Sequence, residues 1–295
     1  MSERMNPVHQ MQQRLSNEFK GNQPEASLLP EYRKALGRVN FLKLSNTFSE
    51  LEKKIGVNFR GDRTLASVEF FNEAENPNVG LYSPAGVIKL NVAHLESGLE
   101  NVRKKYPGYD INVLREFAIV RNYIHELIHH YTNNITANRT VGFEVQIGNE
   151  RYFTALNEAI TELLSQYIFY KYVGDRFPME GRENNIAYFE FSAVVRELLY
   201  LSIEDPSSAL YERSIESAWF QVVRDFFDPE KRVEDNFIYQ TLKKLGPQFV
   251  LDFINLGSHE IDEYEESLVV GGLLRIISQY RTCNGLEGFA FPIAA

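Results

Sequence analysis

His125-Glu126-Leu127-Ile128-His129 sets two imidazoles four residues apart, with a carboxylate directly after the first. On a helix, positions i and i+4 share a face, so both rings can grip one metal ion. Glu126 lies roughly 100° around the helix from His125. From there it can reach a water beside the metal without ligating the metal itself. Neutral imidazole nitrogen suits zinc, and a carboxylate so placed acts as general base in metal-assisted hydrolysis. The expected chemistry is peptide-bond hydrolysis by a zinc-activated water, with one Zn2+ per chain.

A catalytic zinc takes three protein ligands and leaves one position for water. A metzincin-type continuation would need Gly at position 132 and His at 135, where the chain has Thr132 and Ile135. Downstream, Ala155-Leu156-Asn157-Glu158-Ala159-Ile160-Thr161-Glu162 offers two carboxylates, Glu158 and Glu162, on one helix face. Buried carboxylates need partners. A zinc ion for one, and the free N–H of a ligand imidazole for the other, would supply them. A carboxylate in the latter place fixes the histidine tautomer and raises its basicity.

His125 and His129 followed by Asn157-Glu158-x-x-Thr161-Glu162 resembles the gluzincin zinc metallopeptidases, the compact minigluzincins in particular. That resemblance implies Glu158 as third ligand, Glu162 as the carboxylate orienting His125, and Asn157 as support for the ligand geometry. It covers roughly residues 65–175 in arrangement and about a dozen residues in motif. It also implies a substrate-pairing strand at the edge of a small sheet ahead of the active-site helix. Val87, Ile88, Lys89 and Leu90 lie where that strand is expected, and edge pairing of an extended peptide is a common recognition mode. The usual oxyanion donor of these enzymes is a Tyr or His beyond the third ligand. Tyr188 is the expected one, with His259 second. No Gly-x-Met-Glu-Asn-like segment for a free amine occurs, which leans towards an endopeptidase. His130 points away from its neighbour and is left unassigned; His9 and His94 are read as incidental.

Several elements must position these groups. Residues 1–60 carry a loosely amphipathic helical pattern: Leu28, Leu29, Tyr32, Leu36 and Phe41, then Phe48, Leu51 and Ile55. Residues 65–72 predict a strand. Val79–Tyr82 and Val87–Asn91 flank Ser83-Pro84-Ala85-Gly86 as a hairpin. A helix over 93–105 stops at Pro107-Gly108. Asp110 is the expected N-cap of a long helix through Tyr131, striped by Val113, Phe117, Val120, Ile124, Leu127 and Tyr131. A second hairpin is predicted around Gly148-Asn149-Glu150, then a helix over 155–172. Residues 184–282 predict four to six helices. The expected fold is α+β and mostly helical, with a small antiparallel or mixed sheet packed on the active-site helix, as the resemblance to a zincin implies. Its expected divisions are a helical segment over 1–60, a catalytic core over 61–175 and a helical lobe over 176–295.

Composition narrows the alternatives. With 295 residues, 44% hydrophobic and 24% charged, the chain can bury a core without a metal as staple. A zinc site would therefore serve chemistry or local order. The 21 Phe and 16 Tyr read as core filling. A net charge of −9 argues against nucleic acid as partner. Cys283 is the single cysteine, which excludes an intrachain disulfide and a Cys-rich structural zinc knot. Neither a secretory apolar stretch nor a membrane-length apolar run is found, so a cytoplasmic protein acting on a peptide or protein substrate is expected. A di-iron carboxylate site would need a second Glu-x-x-His, and the sequence has none. The alternative reading is a zinc-binding protein that is inactive or self-inhibited and serves as a helical docking module. An intact Glu126 argues against it, since a structural site has no use for a general base.

Overall fold

The computed structural model describes residues 28–61, 64–76, 78–83, 86–132, 142–147, 150–176, 189–206, 208, 210–228, 231, 236–256 and 263–286. Helices dominate: α1 (Leu28–Leu36), α2 (Phe41–Ile55), α3 (Val92–Lys105), α4 (Ile111–Thr132), α5 (Thr154–Val173), α6 (Phe189–Glu204), α7 (Ile215–Phe227), α8 (Phe237–Lys244), α9 (Pro247–Asn255) and α10 (Glu263–Cys283). The strands are β1 (Ser67–Phe71), β2 (Gly80–Ser83), β3 (Val87–Asn91), β4 (Val145–Ile147) and β5 (Glu150–Tyr152). The α+β, mostly helical class expected from the sequence is the one observed.

The described residues divide into two compact units. One holds α1 and Leu65–Leu127; the other holds Leu42–Thr64 and the chain from Ile128 onwards. The division falls inside α4, which is unbroken across it. It also falls between α1 and the body of α2, for a packing reason. In the first unit, Tyr32 of α1 meets Phe70 of β1 edge-on and its hydroxyl donates to Glu96 of α3 at 2.9 Å. In the second, Phe48 of α2 packs edge-on against Tyr131, and Phe59 stacks on Phe227 at 4.1 Å between centroids. Such aromatic pairs contribute about 0.5–1.5 kcal/mol each beyond area burial, so both helices are built into cores rather than appended to one.

In the first unit the sheet runs β1-β3-β2, with β1 parallel and β2 antiparallel to β3. The β2–β3 hairpin falls where the Pro/Gly turn predicts it, and Gly86 there takes a left-handed φ of 78°. Asn91, fully buried, organises this corner. It ends β3 and caps α3 by accepting from Ala93 N–H at 3.3 Å. Its amide also donates to the Glu73 and Asn78 carbonyls at 2.8 and 3.3 Å, and its Oδ1 accepts from Glu73 N–H at 3.2 Å. Its own N–H donates to the Val79 carbonyl at 2.8 Å. One side chain thus pins the segment that leads into β2.

The sheet order corrects one expectation. Val87, Ile88, Lys89 and Leu90 are not an edge strand. They form the central strand, with both rows of backbone groups engaged by β1 and β2. Ile88 and Leu90 are fully buried, and Lys89 lies opposite Glu69, its Nζ 3.8 Å from that carboxylate. A strand hydrogen-bonded on both sides has no donors or acceptors left for a peptide. The hairpin pattern fixes β2 beside β3, but the side on which β1 joins is not written in local periodicity.

In the second unit α6 packs against α5, α7, α8 and α10, and α9 packs against α5, α8 and α10. The helices after residue 184 are five among the described residues, within the range expected. No helix among the described residues is long and apolar enough to cross a membrane.

Candidate metal centre

α4 begins as the sequence predicts: Asp110 Oδ1 accepts from Asn112 N–H at 2.8 Å, satisfying a free donor of the first turn. That bond, more than the nearby Arg38 and Lys34 charges, holds the Asp110 carboxyl below its ordinary value. Further along, Tyr123 donates to the Ala66 carbonyl at 2.6 Å and meets Phe41 edge-on. At its C-terminal end Tyr131 lies in the Phe48–Phe59 aromatic cluster.

These contacts leave α4 buried nearly all round. Tyr123, Ile124, Leu127, Ile128, His130, Tyr131 and Thr132 are buried, while His125, Glu126 and His129 are only half-buried. The motif therefore occupies the one stripe of the last two turns that stays open. α5 repeats the pattern. Residues 155–157 and 159–162 are buried, and Glu158 alone among them is half-buried. An ionisable side chain on so buried a helix needs a partner.

One imidazole nitrogen each from His125 and His129 and one carboxylate oxygen of Glu158 lie within 4.8 Å of one another. His129 Nε2 and Glu158 Oε2 are 3.4 Å apart. Zinc–nitrogen and zinc–oxygen bonds of about 2.1 Å in a tetrahedron separate neighbouring ligand atoms by about 3.4 Å. The His129–Glu158 separation matches that spacing, and the three residues together could hold a metal ion. This is the cluster that the sequence singles out, and it is the one such group among the described residues.

Glu126 lies over β2. A Cβ placed on Gly80 would stand 2.7 Å from Glu126 Cγ and Oε1 and 2.9 Å from Cδ. The Glu126 side chain thus lies flat on the Gly80 backbone. The signal for this contact is Gly80 itself, since a glycine inside a strand pattern marks a close backbone approach.

Asn157 is buried, and its Oδ1 accepts from Phe143 N–H at 3.3 Å. The bond it makes fixes the chain that returns after α4. Gly142, next to it, has φ 54°, and a Cβ there would stand 2.3 Å from a Phe226 ring carbon and 2.4 Å from Asn157 Oδ1. Glu162 is fully buried one turn beyond Glu158, its Oε1 accepting from Gln166 Nε2 at 3.0 Å. Thr161 is fully buried as well. The start of α5 is tied to the C-terminal end of α9: Phe153 N–H and Ala155 N–H donate to the carbonyls of Ile254 and of Leu256, the residue after α9, at 3.2 and 3.4 Å. Tyr188 and His259, the expected oxyanion donors, lie outside the described residues, as do the turn residues 148 and 149.

No family model, curated protein or solved structure matches this chain.

Proposed function

We propose that the chain is a zinc-dependent metallopeptidase that hydrolyses peptide bonds, with Glu126 as general base. The observation that carries the reading is the convergence of His125, His129 and Glu158 donor atoms within 4.8 Å, beside a Glu126 on the same open stripe of α4. His125, His129 and Glu158 would hold the ion. A bound zinc supplies Lewis acidity, which lowers the pKa of water and polarises a carbonyl. The chain's own residues supply the rest. Glu126 takes a proton from the attacking water on its carboxylate and delivers it to the nitrogen of the leaving amine. Asn157 and the buried residues around Glu158 hold α5 in place, so that the carboxylate meets the imidazoles without reorganisation.

An extended substrate pairs with a strand at the margin of a sheet, and among the described residues β2 is an outer strand in the order β1-β3-β2. Leu81 is partly exposed there, and Gly80 of the same strand touches Glu126. We place the scissile region of the substrate along β2 rather than β3.

The test is zinc content and turnover measured together. Wild type is expected to hold one zinc per chain and to cleave a quenched-fluorescent peptide mixture, and Glu126→Gln to hold the same zinc without turnover. Zinc bound at full stoichiometry in a wild type that cleaves nothing would favour the docking-module reading. Absence of bound zinc would remove both.

A further inference from the structure

Gly80 occupies a strand position where glycine is a poor choice. It lies opposite Leu90 in a regular antiparallel pair, where a side chain would add a cross-strand contact. Its backbone does not require glycine either, since it is not among the residues with positive φ. What excludes a side chain is Glu126. The three nearest heavy atoms to a Cβ at position 80 all belong to that residue, at 2.7, 2.7 and 2.9 Å. The Cγ is among them, so turning the carboxylate alone does not clear the overlap. The whole side chain beyond Cβ would have to leave its place.

We infer that Gly80 is the positioning residue for Glu126: its bare backbone is the surface that sets where the Glu126 carboxylate lies. Proton transfer needs that carboxylate within about 2.6–3.2 Å of the water it serves. A displacement of about 1 Å costs on the order of 100-fold in rate. The strand carrying Gly80 is itself fixed, because Asn91 N–H binds the Val79 carbonyl and the Asn91 side chain binds the Glu73 and Asn78 carbonyls. Gly80, Asn91 and Glu126 all belong to the first compact unit, so the alignment is internal to it. The catalytic consequence rests on the hydrolytic reading of Glu126; the placement of its side chain does not.

The experiment is a double-mutant cycle on the full chain: wild type, Gly80→Ala, Glu126→Ala and the double variant. Thermal midpoints are read with chelator and with zinc added. Zinc content, kcat and KM are read on one peptide that wild type cleaves. Gly80→Ala is expected to lower the midpoint when Glu126 is present and to leave it unchanged or raise it when Glu126 is Ala. Zinc content is expected to stay at one per chain, with kcat down about 100-fold. KM is expected to stay within about twofold, because the interaction lost belongs to the transition state. Equal midpoint shifts in both backgrounds overturn the inference, as does a Gly80→Ala enzyme with wild-type kcat. Coupled midpoints in a wild type that cleaves nothing support Gly80 as the surface that places Glu126, and overturn the hydrolytic reading instead.

Discussion

His125 and Glu126 are chain neighbours with separable tasks, one to hold an ion and one to move a proton. Glu126→Gln keeps the shape of the side chain and removes its basicity. It is expected to lower kcat by about 10²–10⁴-fold, the usual contribution of a general base, with zinc affinity unchanged by chelator competition. Glu158→Ala removes a donor atom that sits 3.4 Å from His129 Nε2. Even partners that only orient a ligand are worth about 10–100-fold in metal affinity, so losing a ligand is expected to exceed that range in the same competition assay. Asn157→Ala acts differently. It strips the acceptor from Phe143 N–H in a buried setting, at an expected cost of about 1–3 kcal/mol, read as a lower urea midpoint. The His125–His129 pair and Glu158 were legible as residues because their chemistry is local and their spacing is helical. The actual partner of Asn157 was not. A hydrogen bond to Phe143, fourteen residues earlier in the chain, leaves no periodic trace.

At the scale of elements, amphipathic periodicity located the helices closely, since each buries a face that repeats every three or four residues. α4 is expected from an N-cap at Asp110 through Tyr131 and observed over Ile111–Thr132; α5 is expected over 155–172 and observed over Thr154–Val173. Strand order was not legible. Alternation says which face a strand buries and nothing about which neighbour joins which edge, so β3 read as an edge and proved central. Asn91 is the element-scale residue to test. Its side chain caps α3 and satisfies backbone groups of Glu73 and Asn78 at once. Losing the cap costs about 1 kcal/mol, and the unpaired buried groups add about 1–3 kcal/mol. Asn91→Ala is thus expected to destabilise the chain by several kcal/mol in chemical denaturation, with wild-type far-UV circular dichroism in water if the remaining stability suffices.

For the molecule as a whole, the composition implies a core that stands without metal, and each of the two compact units buries an extensive apolar core. Chelator-treated protein is accordingly expected to stay folded by circular dichroism. Zinc at about 100 times its dissociation constant should add about 2.7 kcal/mol of apparent stability by mass action. Stability should also respond to pH through Asp225. Burial pushes its carboxyl above the ordinary value, against the pull of the Gln221 amide bond at 2.9 Å. A carboxyl raised in the folded state binds more protons there than in the unfolded chain. Its contribution is therefore complete below the ordinary aspartate pKa and is lost as pH rises through the folded value. Asp225→Asn is expected to flatten that decline in urea midpoints measured between pH 4 and neutrality. The division of the N-terminal helices between units was not legible, because it depends on which core Tyr32 and Phe48 enter, and both read alike as apolar positions.

Gly142 carries a consequence for heredity. Its left-handed backbone and the Phe226 ring carbon 2.3 Å from where a Cβ would begin together bar every side chain, the smallest included. In a library randomised at that codon and selected for folded protein, the survivors should encode glycine almost alone. Position 80, randomised alongside Glu126→Ala, should accept alanine and serine freely.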